Sequence, residues 1–264
     1  MTPSFLDKIL AATRERVAVS KNQTPREELE NKPLYAKQRR PFREALERAK
    51  PFAIIAELKK ASPSKGLLCP DFDVQKLARF YEDNGASALS VLTEPDYFLG
   101  TLGNLEIARR ETALPLLRKD FIIDPYQLHE ARSAGADCVL LIAAALSSQE
   151  LKALVGQSHG LGLQVLVEVH DSAELEQSHD CGADIFGVNN RNLKTFNVSL
   201  ETSLQLAGLM PQGACRISES GLKTRADLAM LARSGYCGFL IGETLVTSDD
   251  PGAMLQELLG GKSQ

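Results

Sequence analysis

The 264-residue sequence has no tryptophan and no uninterrupted apolar run of about 18 residues, the length a membrane-spanning helix requires. A membrane-spanning helix is therefore excluded. The first residues, MTPSFLDKILAATRERV, thread charge through their apolar part and lack a continuous apolar stretch, so no secretory leader is expected. None of the five cysteines (Cys69, Cys138, Cys181, Cys215 and Cys237) forms a C-x-x-C pair. An odd, scattered set argues against a disulfide framework and a structural zinc site, and fits a reducing cytoplasm. The four histidines show no ligand-like spacing, so no metal is expected, and His129, His159 and His179 read as solvent-side helix residues. Positive charge is not in excess: the formal net charge is −4, which gives no general case for nucleic acid. The basic run Lys37-Gln38-Arg39-Arg40 reads as a solvated helix start. What remains is ordinary globular composition, 44% apolar and 24% charged.

The organising feature is a repeat. NGASALSVL (84–92), AGADCVLLI (134–142), CGADIFGVN (181–189) and SGYCGFLIG (234–242) each start with a glycine suited to end a helix and continue into a short strand-type run. Gly85, Gly135, Gly182 and Gly235 stand about 50 residues apart, room for two strand–helix units per period. The intervening strands fall midway: AIIAEL (53–58), LPLLRK (114–119), QVLVEV (164–169) and CRISE (215–219). Segments between strands carry apolar residues three and four apart, and several open on Asp, Ser or Thr, which cap helices. Eight apolar strands, each followed by a helix, predict a (β/α)8 TIM barrel over residues 51–264. An open doubly wound sheet is the alternative, but no G-x-G-x-x-G follows the first strand. Residues 1–50 read as a helical extension packing on the barrel within a single domain, with a lid and a plain stabilising appendage as equal alternatives.

In this fold, chemistry sits at the C-terminal ends of the strands. Strand 1 ends Glu57-Leu58-Lys59, strand 3 at Lys119, strand 5 at Glu168 and strand 7 at Glu219. All four are odd-numbered strands, whose inward side chains share layers, and Glu57 and Lys59 are two apart and point the same way. Such charges are costly to bury unless paired or used. The alternative is a ring of ion pairs sealing the mouth. Lysines and carboxylates perturbed by burial and by one another supply general acids and bases near neutral pH. The loops after strands 7 and 8 carry Ser220-Gly221 and Gly242-Glu243, where backbone N–H groups can approach an anion, so a phosphorylated substrate is expected. Asn189-Asn190-Arg191 after strand 6 offers substrate-orienting groups, Arg191 being suited to a carboxylate.

At these residues the sequence resembles the indole-3-glycerol phosphate synthase family. The blocks are IAELKKASPSKG (55–66), LRKDFIIDPYQ (117–127), VEVHD (167–171), GVNNRNLKTF (187–196), SESGL (218–222) and FLIGETLV (239–246). The resemblance implies a cytoplasmic lyase, a decarboxylase of tryptophan biosynthesis that needs no cofactor. Its implied substrate is 1-(2-carboxyphenylamino)-1-deoxyribulose 5-phosphate, with no nucleic-acid or membrane partner. Association with other tryptophan-pathway enzymes is left open. By the same resemblance Lys119 is the general acid, Glu168 the general base, and Lys59 a substrate-binding lysine that also serves as acid. Glu57, Asn189 and Glu219 are polar active-site residues, Arg191 and Ser220 contact substrate, and Ser62, Gly221, Gly242 and Glu243 lie in the substrate or phosphate region. Which lysine serves which step stays open. Phe98, Phe121 and Leu193 are candidates to pack on the aromatic ring. Glu94 and Thr101 depart from the family's more usual Asp and Ser. Rival readings are a Schiff-base aldolase using Lys119 or Lys59, a phosphoribosylanthranilate-type isomerase, and a catalytically silent phosphate-binding barrel.

Overall fold

The computed structural model describes residues 4–49 and 51–261. The anticipated boundary at residue 50 and the outermost terminal residues lie outside that range. Among the described residues, eight parallel strands close into a barrel in sequence order. They are β1 (Ala53–Leu58), β2 (Ala88–Leu92), β3 (Leu116–Lys119), β4 (Cys138–Ile142), β5 (Gln164–Val169), β6 (Ile185–Asn189), β7 (Cys215–Glu219) and β8 (Gly238–Ile241). β8 pairs back onto β1, Ala53 facing Gly238. The TIM barrel expected from the sequence is the fold. No helix among these residues is long and apolar enough to cross a membrane.

The helices form where their caps permit. Three precede the barrel: α1 (Phe5–Gln23), α2 (Arg26–Glu30) and α3 (Phe42–Arg48). Around it lie α4 (Val74–Asp83), α5 (Leu102–Glu111), α6 (Pro125–Ala134), α7 (Ser148–Gly160), α8 (Ser172–Ser178), α9 (Glu201–Ala207), α10 (Arg225–Arg233), α11 (Glu243–Val246) and α12 (Pro251–Leu259). Capping boxes open α1, α6, α7 and α10, in which a side chain and the third helical residue satisfy one another's backbone N–H groups. The repeated glycines are all left-handed, with φ between 83° and 95°. Each strand begins three residues after its glycine. The reason is the helix end: Ala86 and Ala136 still donate back to Tyr81 and Ala131, so the turn uses two further residues before the chain extends.

Side-chain alternation divides the core. Outward residues such as Ile54, Ala56, Leu58, Val165 and Val167 pack under the helices. Inward residues Ala53, Ile55, Leu117, Cys138, Leu140, Leu166, Ile185, Ile217 and Leu240 fill the barrel itself. The N-terminal helices part company around this body. Phe42 and Leu46 of α3, both buried, join the inward cluster and plug the N-terminal end of the barrel. At the opposite end, α1 meets the loops: Phe5 stacks edge-on to Tyr97 and Phe196, and Arg16 reaches Asp96 at 2.9 Å.

Two sequence expectations need correction. Arg39 and Arg40 are not a solvated helix start. They lie in irregular chain and clamp it to the barrel, Arg39 donating to the Ala136 carbonyl at 2.9 Å and Arg40 to that of Leu114 at 2.7 Å. His129 is not on the solvent side: Tyr35 covers it, with 2.7 Å between the hydroxyl and Nδ1. His159 and His179 are exposed, as expected.

The clamp centres on Asp137, fully buried where β4 begins. Its carboxylate accepts from Arg109 at 2.8 Å, from the Leu116 backbone at 2.9 Å and from the Arg40 backbone at 2.7 Å. Asp137→Ala leaves the buried Arg109 without a counter-charge, a loss of about 3–5 kcal/mol. Urea unfolding is expected to show a much lower midpoint at an unchanged slope. A midpoint equal to the parent's would mean that the clamp adds nothing.

Candidate active site

The inward series of the odd strands turn from apolar to charged at the last step. In β1 the series Ala53, Ile55 continues to Glu57 and, one residue beyond the strand, Lys59. In β3 Leu117 is followed by Lys119, in β5 Leu166 by Glu168, and in β7 Ile217 by Glu219. A cavity of about 530 Å³ opens there. The twelve residues given roles by the resemblance all line it: Glu57, Lys59, Ser62, Lys119, Glu168, Asn189, Arg191, Glu219, Ser220, Gly221, Gly242 and Glu243. Asn190, also expected to orient substrate, does not, its buried amide donating to Ser218 at 2.9 Å and to the Glu219 carbonyl at 3.0 Å.

At its base Lys119 lies between two carboxylates, donating to Glu168 at 2.8 Å and contacting Glu219 as well. Glu57 and Lys59 pair separately at 2.6 Å. Burial works against the Lys119 charge, but Glu168, Glu219 and Glu57 outweigh it, and its pKa is raised. The two glutamates split. Burial raises the Glu168 carboxyl, yet Lys119, His170 and a hydrogen bond from Asn189 prevail, and it falls below its ordinary value. Burial also raises Glu219. Lys119 only partly offsets this and the Glu168 charge adds to it, so Glu219 is pushed up to about 7. Its Oε1 is buried without a hydrogen-bond partner. The site thus sets an ammonium against one carboxyl whose pKa is lowered and one whose pKa is raised.

Glycine gives these groups their room. A Cβ on Gly187 would run into Glu219 Oε1, and one on Gly242 into the Glu57 carboxylate, with Lys59 Nζ at 3.0 Å. The loop after β7 turns sharply through Ser220 (φ 67°) and Gly221 (φ 77°), while Gly242 leads directly into α11. Glu243 carries two cations, Lys65 at 2.7 Å and Arg191 at 3.4 Å. Ser62 lies on a short hairpin after β1, in which Ala61–Ser62 pairs with Gly66–Leu67, and its hydroxyl is buried without a partner. Asn189 is held in place by its Oδ1, which accepts the Arg191 backbone N–H at 3.0 Å. Phe98, Phe121 and Leu193 all line the cavity.

Other contributors were not singled out in the sequence, although Asp120 and Phe196 lie within the blocks of the resemblance. Phe5 and Leu6 bring α1 into the cavity wall, and Phe196 and Asp120 join it. Asp120 belongs to a buried network in which Arg118 contacts Asp120 at 3.0 Å and Glu130 at 3.1 Å, and Thr93 donates to Asp120 at 2.6 Å. Glu94, a departure from the family's pattern, is buried and accepts the backbone N–H groups of Asp96, Tyr97 and Phe98, so it shapes its loop from within. Thr101 caps α5.

A family model described as indole-3-glycerol phosphate synthase matches residues 6–258. The indole-3-glycerol phosphate synthase of Koribacter versatilis is 49% identical over 259 residues, which are 97% of this chain and 99% of that one. Its counterpart in Carboxydothermus hydrogenoformans is 45% identical, with 97% and 99% covered. Among solved structures, 3-hexulose-6-phosphate synthase from Salmonella typhimurium superimposes with a TM-score of 0.63 at 15% identity, over 78% of this chain and 96% of that one. Thiamine phosphate pyrophosphorylase from Pyrococcus furiosus gives 0.60 at 15%, over 83% and 96%. Those two likenesses concern the barrel alone.

The raised carboxyl is open to direct measurement. Infrared difference spectra of the free protein are expected to show the carbonyl band of a buried protonated carboxyl below about pH 7, bleaching above it, and missing from Glu219→Gln. A band titrating in the ordinary carboxylate range would contradict the assignment.

Proposed function

Because the chain belongs to the indole-3-glycerol phosphate synthase family, we propose that its barrel mouth binds 1-(2-carboxyphenylamino)-1-deoxyribulose 5-phosphate and divides the work of ring closure among the residues just described. Its activity is the family's, that of a carboxy-lyase forming indole-3-glycerol phosphate. The observation that carries the residue assignment is Lys119 bridging Glu168 and Glu219 at the base of the cavity.

Ring closure needs an acid as the aromatic carbon attacks the ketone. Lys119 is that acid: its ammonium protonates the oxygen where negative charge develops, and apolar walls keep the interaction strong. Loss of CO2 restores the aromatic ring without a cofactor. Dehydration then needs a proton for the departing hydroxyl and a base for one proton of the ring CH2 beside the nitrogen, which keeps its own hydrogen in the indole. Glu168 is the base, kept ionised by its surroundings, and Lys59, paired with Glu57, is the cation placed to act as the second acid.

The proton count adds a requirement. Two protons are donated and one is recovered, because a carboxylate leaves as CO2. Each turnover therefore draws one proton from solvent. Glu219, poised near neutrality against Lys119, is the group suited to recharge it. At the other end, Ser220, Gly221 and Gly242 receive the phosphate, with Lys65 and Arg191 released from Glu243 as counter-charge. Ser62 offers its free hydroxyl. Phe98, Phe121 and Leu193 flank the aromatic ring.

The test is turnover followed by indole fluorescence, which the absence of tryptophan makes clean against the protein background. Lys119→Ala is expected to lower kcat by about 10²-fold or more with the fold intact. Near-normal turnover in that variant would remove Lys119 from its role. A covalent adduct trapped by borohydride would instead favour Schiff-base chemistry.

A further inference from the structure

We propose that His170, clamped by Glu174, is the positioning residue that keeps Glu168 the ionised member of the carboxylate pair around Lys119. The proposal rests on Glu168 being the base. His170 follows β5 by one residue, and its side chain is about nine-tenths buried. Its Nδ1 lies 2.9 Å from Glu174 Oε2, and the same oxygen accepts the His170 backbone N–H at 2.8 Å. One carboxylate oxygen thus fixes both the chain and the ring. Glu174 is itself set by Asp171, which caps α8 by accepting the Glu174 backbone N–H at 2.9 Å.

The consequence is read at the far side of the ring. Nε2 faces Glu168 Oε1 at 3.4 Å, is buried, and has no hydrogen-bond partner. With Nδ1 committed as a donor to Glu174, a neutral ring would turn a bare lone pair towards the Glu168 carboxylate. An imidazolium instead sets a positive charge 3.4 Å from that carboxylate, an ion pair without a hydrogen bond. Around the ring stand Glu168 and Glu174 in contact, Glu219 across the barrel, and Asp171 and Lys194 along an adjoining cavity of about 420 Å³. Burial opposes the charge on His170, but the Glu174 hydrogen bond and the carboxylates of Glu168, Glu174 and Glu219 outweigh it and raise its pKa.

This second cation resolves a symmetry problem. Lys119 touches both glutamates, so it cannot by itself decide which keeps a proton. Glu168 has a second cation in His170, whereas Glu219 has an unpartnered Oε1. The proton therefore resides on Glu219 and leaves Glu168 free to accept one. A neutral side chain at position 170 would let the proton settle on Glu168 up to a higher pH, and the base would be lost over that range.

The experiment compares the pH dependence of kcat in the parent, His170→Leu, His170→Asn and Glu174→Gln, with Glu168→Gln measured alongside. Both His170 variants are expected to move the acidic limb up by about one pH unit, with kcat below that limb reduced about tenfold and KM changed little. Glu174→Gln should shift the limb in the same direction by less. His170→Asn keeps a small polar side chain and supplies the reading if His170→Leu does not fold. An unchanged pH profile, or a loss confined to KM or to thermal stability, overturns the proposal. If Glu168→Gln retains turnover, it is the assignment of the base that fails. If Glu168→Gln is inactive and the His170 variants keep the parent profile, only the role of His170 is lost.

Discussion

One ammonium facing two carboxylates at the end of an apolar barrel is the constraint on which the rest of this structure depends. Stripping water from each charge costs several kcal/mol, and a single cation cannot repay two anions. The structure meets this by placing His170 beside Glu168 alone, in addition to Lys119, while burial without a second cation pushes the Glu219 carboxyl up. The layers beneath must then be full and dry, because water entering from below would screen the interactions that sort the pair. Phe42 and Leu46 of α3 close that end, and burying each contributes about 1.5–3 kcal/mol. The extension before the barrel therefore serves both ends: α3 keeps the core dry beneath the charges, and α1 adds Phe5 and Leu6 to the cavity above them.

The sequence made the barrel legible because its signals are local. A left-handed glycine after a helix, a short apolar strand and a polar strand end recur, and alternation predicts which side chains face inward. Glu57, Lys119, Glu168 and Glu219 could be grouped in this way because odd strands share layers. What stayed hidden was set by partners far away in the chain. His129 looked exposed because Tyr35, 94 positions earlier, gives no sign of covering it. Arg39 and Arg40 looked solvated because the carbonyls they clasp belong to Ala136 and Leu114. Phe5 and Leu6 had no motif to mark them, and His170 looked incidental until its ring was seen between two carboxylates.

A fold shared by many chemistries does not choose among them, and here the choice lies in the last inward residue of each odd strand. Side chains of one type must take different roles at that level, and only their surroundings can separate them. Glu168 and Glu219 are chemically identical and touch the same lysine. One has a histidine and an amide behind it; the other has a glycine, Gly187, whose missing side chain leaves its oxygen without a donor. Filling that space would crowd Glu219 Oε1, and removing the histidine would narrow the difference between the carboxylates. The difference between the two carboxyls is thus set by the neighbours of each and not by the lysine they share. The positions behind the site therefore limit substitution as strictly as those within it.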